Sequence, residues 1–117
     1  MMKVAVTSQN FRTITGHAGK TRRFLVYEAE GGEVREVRRL DLPREQSFHE
    51  IAGDAAHPID GVDVLITASC GDHFVTRLAR RGIRVLATKE TNPENAVRLV
   101  STGRPLPPAE PHEHHGP

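Results

Sequence analysis

The sequence predicts a single α/β domain in which helices flank a mixed β-sheet of about five strands. Two observations indicate this fold class. The first half holds short apolar runs joined by a glycine turn, which is typical of a β-hairpin. The second half alternates apolar runs with amphipathic segments, which favours parallel strands joined by helices. We place the domain at residues 1–104 and a disordered tail rich in Pro and His at residues 105–117.

Four apolar runs and one segment with interspersed Arg and Glu, residues 34–40, are the predicted strands. The run at residues 24–27 is continuously apolar, as expected of a strand covered on both faces. Gly31 and Gly32 then favour a tight turn into a partly exposed strand. The predicted strands are residues 3–7, 24–27, 34–40, 62–67 and 83–87.

Three segments have helix signals. Ser47 and Glu50 have capping-box spacing, which predicts a short helix at residues 48–55. Asp72 is expected to cap a helix that runs to about residue 81 and ends at Gly82. Its inner face would carry Phe74, Val75, Leu78 and Ala79. The sequence Asn92-Pro93-Glu94 predicts the start of a last helix, which stops at Gly103.

Composition limits the classes of function. The chain has 16 Lys and Arg against 15 Asp and Glu, so bulk attraction to nucleic acid or to an acidic membrane is not expected. No apolar run approaches the roughly 20 residues of a membrane span. The N-terminus lacks signal-peptide features. A single cysteine, Cys70, fits a reducing compartment, so we expect a cytoplasmic protein.

A polar loop before the second strand, "TGHAGKTRR", holds the first candidate site. His17 lies between Gly16 and Gly19, which permit close approach of a ligand. A neutral imidazole is a good ligand for iron and other transition metals. Lys20, Arg22 and Arg23 follow, and these cations would favour an anionic ligand or cluster. The alternative is an exposed loop histidine beside a solvated basic edge.

The second candidate is "ITASCGDHF", where a buried strand meets a helix N-terminus. Ligands gather at the carboxyl ends of strands in open α/β sheets, and helix N-termini present free N–H groups. Cys70 could be a thiolate ligand whose pKa is lowered by the helix start, or a small buried cysteine that only packs there. His73, in the first helical turn, is expected to cap the helix or face solvent. We predict that His49 and His57 are surface residues, with His49 kept as a site candidate.

The C-terminal tail gives a weaker signal of function, and the sequence lacks the common enzyme motifs. His112, His114 and His115 lie beside Glu110 and Glu113; such a tract either binds divalent metal or is a soluble tail, and we favour the tail. The sequence has no Gly-rich phosphate loop, no HExxH and no nucleophile elbow. A catalytic pair of Cys70 with a histidine stays open, although no third residue stands out.

The order of motifs resembles a known family. "KVAVTSQ", "GHAGKTRRFLVYE", "GGEVREVR", "DVLITASCGDHFVTRLARRGIRVLAT" and "NPENAVRLVSTGRPL" follow the order of the dinitrogenase iron–molybdenum cofactor biosynthesis family, the NifX-like and NifB C-terminal-like domains. The similarity spans about residues 2–106. It implies a ribonuclease H-like fold. It also implies a non-enzymatic carrier of an iron–sulfur or iron–molybdenum cluster, with nitrogenase or cofactor-assembly proteins as partners in nitrogen fixation.

The resemblance also implies site residues. The family's His-Phe-Gly motif corresponds to His17, Ala18 and Gly19, so Ala18 removes an apolar wall. Its Gly-x-Gly turn corresponds to residues 69–71, where only Gly71 matches and Cys70 is a candidate extra ligand. The implied metal ligands are His17 and Cys70. The implied cofactor-binding residues are His17, Gly19, Lys20, Arg22, Cys70 and Gly71.

The sequence also bears on other functions that this fold can have. Nucleases of this fold hold Mg²⁺ with carboxylates on the sheet, and residues 3–9 have none, so we reject nuclease activity. Ala18 and the missing first glycine favour a second hypothesis, a small regulatory or protein-interaction module that has lost cluster binding. A third hypothesis, a Cys70-dependent enzyme, requires a reactive thiol of low pKa.

Overall fold

The computed structural model describes residues 1–52 and 55–109. Within these ranges the chain forms five strands and two α-helices, with 3₁₀ turns at Ala18–Lys20 and Arg44–Gln46. The elements in chain order are β1 (Met2–Thr7), β2 (Arg23–Glu30), β3 (Glu33–Asp41), β4 (Val64–Thr67), α1 (Asp72–Ala79), β5 (Arg84–Ala87) and α2 (Pro93–Ser101).

The strands form one mixed sheet in the order β3-β2-β1-β4-β5. β1 and β2 pair antiparallel, as do β2 and β3, whereas β1 pairs parallel with β4 and β4 with β5. The predicted α/β class with a mixed sheet is therefore confirmed. Because β1, β4 and β5 run in the same direction, their carboxyl ends lie at one edge of the sheet. The loop from β1 to β2 begins and ends at that edge.

Alternate residues of the strands face two separate apolar layers. Ala5 and Leu65 contribute to a core with Phe74 and Leu78 of α1, and with the connection between β3 and β4. Val4 and Ile66 contribute to a second core with Ala96 and Val97 of α2 (the hydrophobic faces of the two helices therefore cover opposite faces of the sheet).

The predicted hairpin and the predicted last helix are confirmed. Gly31 has φ 61° in the two-residue turn between β2 and β3, a conformation that favours glycine. The Asn92 side chain accepts a hydrogen bond from the Asn95 N–H at 2.9 Å, and Pro93 is the first residue of α2. Gly103 follows the helix with φ 76°.

Helix α1 differs in detail from the prediction. The residue that precedes the helix is Gly71, and Asp72 is the first helical residue. No side chain caps the start of this helix. Phe74 and Leu78 are buried as predicted, but Val75 is 40% exposed and Ala79 is exposed as well. The inner face is therefore the single row with i, i+4 spacing. Gly82 has φ 78°, as expected of a residue that ends a helix.

The helix predicted at residues 48–55 is wrong for the part of this span that is described. The N–H groups of Glu50 and Ile51 both bond to the Ser47 carbonyl, which makes a single turn. The carbonyls that a longer helix would use are taken by α1 instead. The Arg77 guanidinium donates to the carbonyls of Phe48 and Ile51.

His57 is not the surface residue that we predicted. It is 5% exposed, and its ring stacks on Phe48 with centroids 4.0 Å apart. Nδ1 accepts from the Ile59 N–H at 3.2 Å, so Nε2 carries the proton and donates to the Gln46 carbonyl at 2.9 Å. Burial is the largest cause that lowers the pKa of this imidazole, and Arg81 adds to it. The histidine is a neutral part of the core.

The chain after α2 returns to the sheet. Pro108 pairs with Thr88, just past the carboxyl end of β5, and the Thr88 hydroxyl donates to the Pro107 carbonyl at 2.6 Å. Leu106 packs on the α2 side of the sheet. Most of the predicted tail, from residue 110 onward with its three histidines, lies outside the described residues, so its disorder stays a prediction. No helix in the described ranges has the length and apolar character of a membrane span.

Candidate functional site

An open pocket of about 670 Å³ lies at the edge where β1 and β4 end. Loop residues after β1, residues between β4 and α1, and one residue of the β3–β4 connection surround it. The lining residues are His17, Ala18, Gly19, Lys20, His49, Ser69, Cys70, Gly71 and Asp72. The two predicted metal ligands, His17 and Cys70, thus face one pocket, together with Gly19, Lys20 and Gly71. Arg22 is exposed and is not among the lining residues.

Two buried threonines at the ends of adjacent strands hold the base of the site. Thr7 ends β1 and Thr67 ends β4, and their hydroxyl oxygens are 2.8 Å apart. The Thr7 hydroxyl also lies 2.6 Å from the Thr15 carbonyl. The Thr15 N–H donates to the Thr7 carbonyl at 2.9 Å, and the Ala68 N–H donates to the Thr15 carbonyl at 3.1 Å. The loop that carries His17 is therefore bonded to both strand ends.

Ser69 joins the two loops of the pocket directly. Its hydroxyl accepts a hydrogen bond from the His17 N–H at 2.9 Å, and its carbonyl accepts one from the Ala18 N–H at 3.2 Å. This approach needs a glycine at position 16, because a Cβ there would lie 2.3 Å from the Ser69 hydroxyl oxygen. Gly16 is thus required for contact between the loops.

His17 has an unusual backbone conformation, with φ 55° and ψ 53°. This left-handed region costs non-glycine residues about 1–2 kcal/mol, although His visits it more readily than most. The conformation is fixed by neighbours on both sides. The His17 carbonyl accepts from the Lys20 N–H at 2.9 Å and lies 3.2 Å from the buried Thr21 hydroxyl. The surrounding bonds determine this backbone shape.

Cys70 is half-buried at the start of α1 and has no disulfide partner. Burial, followed by the charge of Asp72, raises the pKa of its thiol. The expectation that the helix start lowers this pKa is therefore wrong. Desolvation is the larger cause, and the negative charge of Asp72, on the first turn of α1, acts in the same direction. The free protein thus holds a neutral thiol at Cys70, and a metal would have to displace its proton.

The cations of the "KTRR" run are distributed rather than gathered. Lys20 lines the pocket. Arg23 is engaged elsewhere: it forms an ion pair with Asp41 at 3.3 Å, and its guanidinium lies 5.3 Å from the Phe11 ring centroid. The charge available at the pocket is therefore smaller than the sequence suggested.

His49 reaches the pocket from the connection between β3 and β4. It is exposed, and its N–H donates to the Gly19 carbonyl at 2.7 Å. His73 is exposed on α1, as one of the two predicted alternatives had it, and does not line the pocket. His49 is a site candidate in the sequence, but no spacing pattern there indicates that it reaches this pocket, since its position depends on the path of a long connection.

The donor side chains surround the pocket without meeting at a point. Within residues 1–52 and 55–109, no three His, Cys, Asp or Glu side chains are grouped so that they could hold one metal ion. A single ion needs donors at about 2.0–2.3 Å from a common centre. Ala18, the departure from the His-Phe-Gly pattern, is fully buried and belongs to the core on the α1 side. It contributes packing below the pocket.

Comparisons with known proteins agree with this fold. The profile of the family described as dinitrogenase iron–molybdenum cofactor matches residues 1–103. An uncharacterized protein of Methanocaldococcus jannaschii, MJ0580, is 24% identical over 106 residues, which cover 89% of each chain.

Two solved structures are similar over most of the chain. The crystal structure of PH0822 gives a TM-score of 0.66 at 19% identity and covers 88% of this chain and 92% of its own. The solution structure of TM1290 from Thermotoga, a NifB-like protein of the DUF35 family, gives a TM-score of 0.56 at 20% identity, with 99% and 100% covered. At these identities the likeness shows the fold.

Proposed function

The chain belongs to the dinitrogenase iron–molybdenum cofactor family, and we propose that it is a cytoplasmic, non-enzymatic carrier of an iron–sulfur or iron–molybdenum cluster. The family relation supports a role in processes related to this cofactor. The carrier role is our extension of it, with the cluster as cargo. Nitrogenase or cofactor-assembly proteins would be the partners that deliver and receive this cargo.

One observation carries the proposal: His17 and Cys70 line the same pocket although 52 residues separate them. Imidazole nitrogen and thiolate sulfur are both ligands of iron in clusters. Nothing in the sequence alone required the two loops to meet. The two loops meet at the carboxyl ends of β1 and β4, which is where ligands gather in open α/β sheets.

The remaining lining residues fit a transient, negatively charged cargo. Lys20 and the free N–H groups at the start of α1 favour negative charge, while Asp72 opposes it. Few ligands and a wide opening favour release. The thiol of Cys70 also has to lose a proton before it binds metal, so binding competes with protons. These features support a carrier rather than a permanent metal centre.

A protein-interaction module that has lost the cluster is the alternative. The absence of any convergent group of three donors in the described residues favours it. The Cys70-dependent enzyme is disfavoured, because burial and Asp72 raise the pKa of the thiol.

Anaerobic reconstitution with iron and sulfide, or with isolated cofactor, tests the proposal. Iron and visible absorption are measured after gel filtration for the wild type, His17→Ala and His73→Ala. The carrier predicts stoichiometric iron in the wild type and in His73→Ala, and its loss in His17→Ala with an unchanged circular dichroism spectrum. A wild type that stays colourless and free of iron would refute the carrier and favour the interaction module.

A further inference from the structure

We propose that His49 is a third ligand of the cargo, supplied by the connection between β3 and β4. The inference rests on the proposed carrier function and extends its ligand set. It also assigns a specificity: the pocket takes a polynuclear metal cluster and discriminates against a single metal ion.

The position of His49 is fixed by its own backbone. Its N–H donates to the Gly19 carbonyl at 2.7 Å, two residues from His17. The two histidine-bearing segments are thus bonded to each other beside the pocket. His49 and His17 line it together with Cys70, so three elements distant in sequence each contribute one donor.

The residues around His49 are anchored to the core. Phe48 is fully buried, stacks on His57 at 4.0 Å and meets Phe74 of α1 edge-on at 5.6 Å. The Arg77 guanidinium bonds to the Phe48 carbonyl. A buried residue thus precedes His49 directly, while His49 itself is exposed. This contrast with the buried His57 indicates that the site of His49 is open to a ligand.

The arrangement of the donors is the observation that bears on the nuclearity of the cargo. The described residues hold no group of three donors that could surround one ion. A cluster presents several metal atoms, and each can take a different protein ligand. The same spread that disfavours a single ion can serve a cluster, because each donor needs to reach only the nearest metal atom.

The first experiment measures whether His49 binds the cluster. Cluster-loaded wild type, His49→Ala and His73→Ala are prepared with ¹⁵N-labelled histidine, and pulsed electron paramagnetic resonance counts the imidazole nitrogens coupled to the reduced cluster. We expect two in the wild type and in His73→Ala, and one in His49→Ala. Loss of iron to a chelator should be at least about tenfold faster in His49→Ala, since even the groups that support metal ligands contribute this much.

The outcomes separate the two proposals. A wild type that binds no cluster refutes the carrier and the third ligand together. A loaded wild type in which His49→Ala keeps the nitrogen couplings and the chelation rate of His73→Ala refutes the third ligand alone, and the carrier stands.

The second experiment tests nuclearity with Co²⁺ alone. We expect weak binding that is insensitive to the His49→Ala substitution. Tight stoichiometric binding with a tetrahedral spectrum that needs His17, His49 and Cys70 would show that the donors converge on one ion. That result would overturn the inference of a polynuclear site.

Discussion

The Ser69 hydroxyl accepts a hydrogen bond from the His17 N–H at 2.9 Å. This bond connects the loop after β1 to the loop after β4. It lies beside Gly16, whose missing side chain leaves room for the serine. The bond from His17 to Ser69 therefore fixes the backbone that carries the imidazole. Several predictions depend on this bond.

Gly16→Ala is expected to destabilise the protein by about 1–3 kcal/mol, as overpacking commonly does. The new Cβ would lie 2.3 Å from the Ser69 hydroxyl oxygen and 3.3 Å from its Cβ. Chemical denaturation measures the change in the free energy of unfolding. The double variant Gly16→Ala/Ser69→Gly removes both close contacts, so it should cost less than the sum of the single changes. Additive effects would mean that the two positions do not touch.

Position 17 should prefer glycine to alanine. The backbone of His17 has φ 55°, which alanine adopts with strain and glycine without it. We expect His17→Gly to be more stable than His17→Ala by about 1 kcal/mol. Under the proposed carrier function, both variants should also lose the cluster. Lys20 offers the control, since it has no positive φ: there, alanine should be the more stable of the two. If the glycine and alanine variants had the same order of stability at both positions, this would contradict the left-handed backbone at His17.

The Cys70 thiol should react slowly at neutral pH. Burial and the neighbouring Asp72 raise its pKa, so little thiolate is present at pH 7. Alkylation with iodoacetamide should be slower in the folded, metal-free protein than in urea, and it should accelerate as the pH rises. Asp72→Asn removes the smaller of the two causes that raise the pKa. Alkylation of the folded protein at pH 8 should therefore be faster in this variant. Fast alkylation at pH 7 would revive the Cys70-dependent enzyme.

Stability should fall as the pH drops below about 6.5. Burial lowers the pKa of His57 in the folded protein below its ordinary value of 6.5. As the pH falls, His57 of the unfolded chain therefore binds a proton before His57 of the folded protein does. The contribution of neutral His57 to the free energy of unfolding is complete above the pKa of the unfolded chain. It is lost as the pH falls toward the folded pKa. Asp60 and Arg81 face this histidine, and the carboxyl of Asp60 has a lowered pKa, so its own contribution is lost at lower pH.

Urea unfolding at pH 5, 6, 7 and 8 measures this slope, and His57→Leu should flatten it. If that variant fails to fold, nuclear magnetic resonance titration of the His57 ring in the wild type gives the folded pKa directly. A value at or above 6.5 would contradict the prediction.

Local patterns in the sequence were sufficient for most of the sheet and for α2. The apolar run at residues 24–27, the two glycines of the hairpin and Asn92 before Pro93 each act over a few residues. The segment at residues 48–55 also had a good local signal, yet a distant arginine, Arg77, takes the carbonyls that a helix would use. Tertiary contacts overrode the local preference there.

The site was predictable only in part for the same reason. His17 and Cys70 could be named from their residue types and flanking glycines. The bond from His17 to Ser69, and the arrival of His49 at the pocket, depend on the pairing of β1 with β4 and on the path of the connection between β3 and β4. The pKa of Cys70 depends on how deeply α1 buries it, which a single sequence does not reveal.

The long sequence separation between the two threonines that end β1 and β4 has a consequence during synthesis. Thr7 and Thr67 are 60 residues apart, and the loop of His17 is bonded to both. A nascent chain that has left the ribosome only as far as the β2–β3 hairpin lacks Thr67, Ser69 and the first turn of α1. Its histidine loop then has no partner on one side. Any cargo of the proposed carrier would therefore meet a complete pocket only after more than half of the chain, including β4 and the start of α1, has emerged.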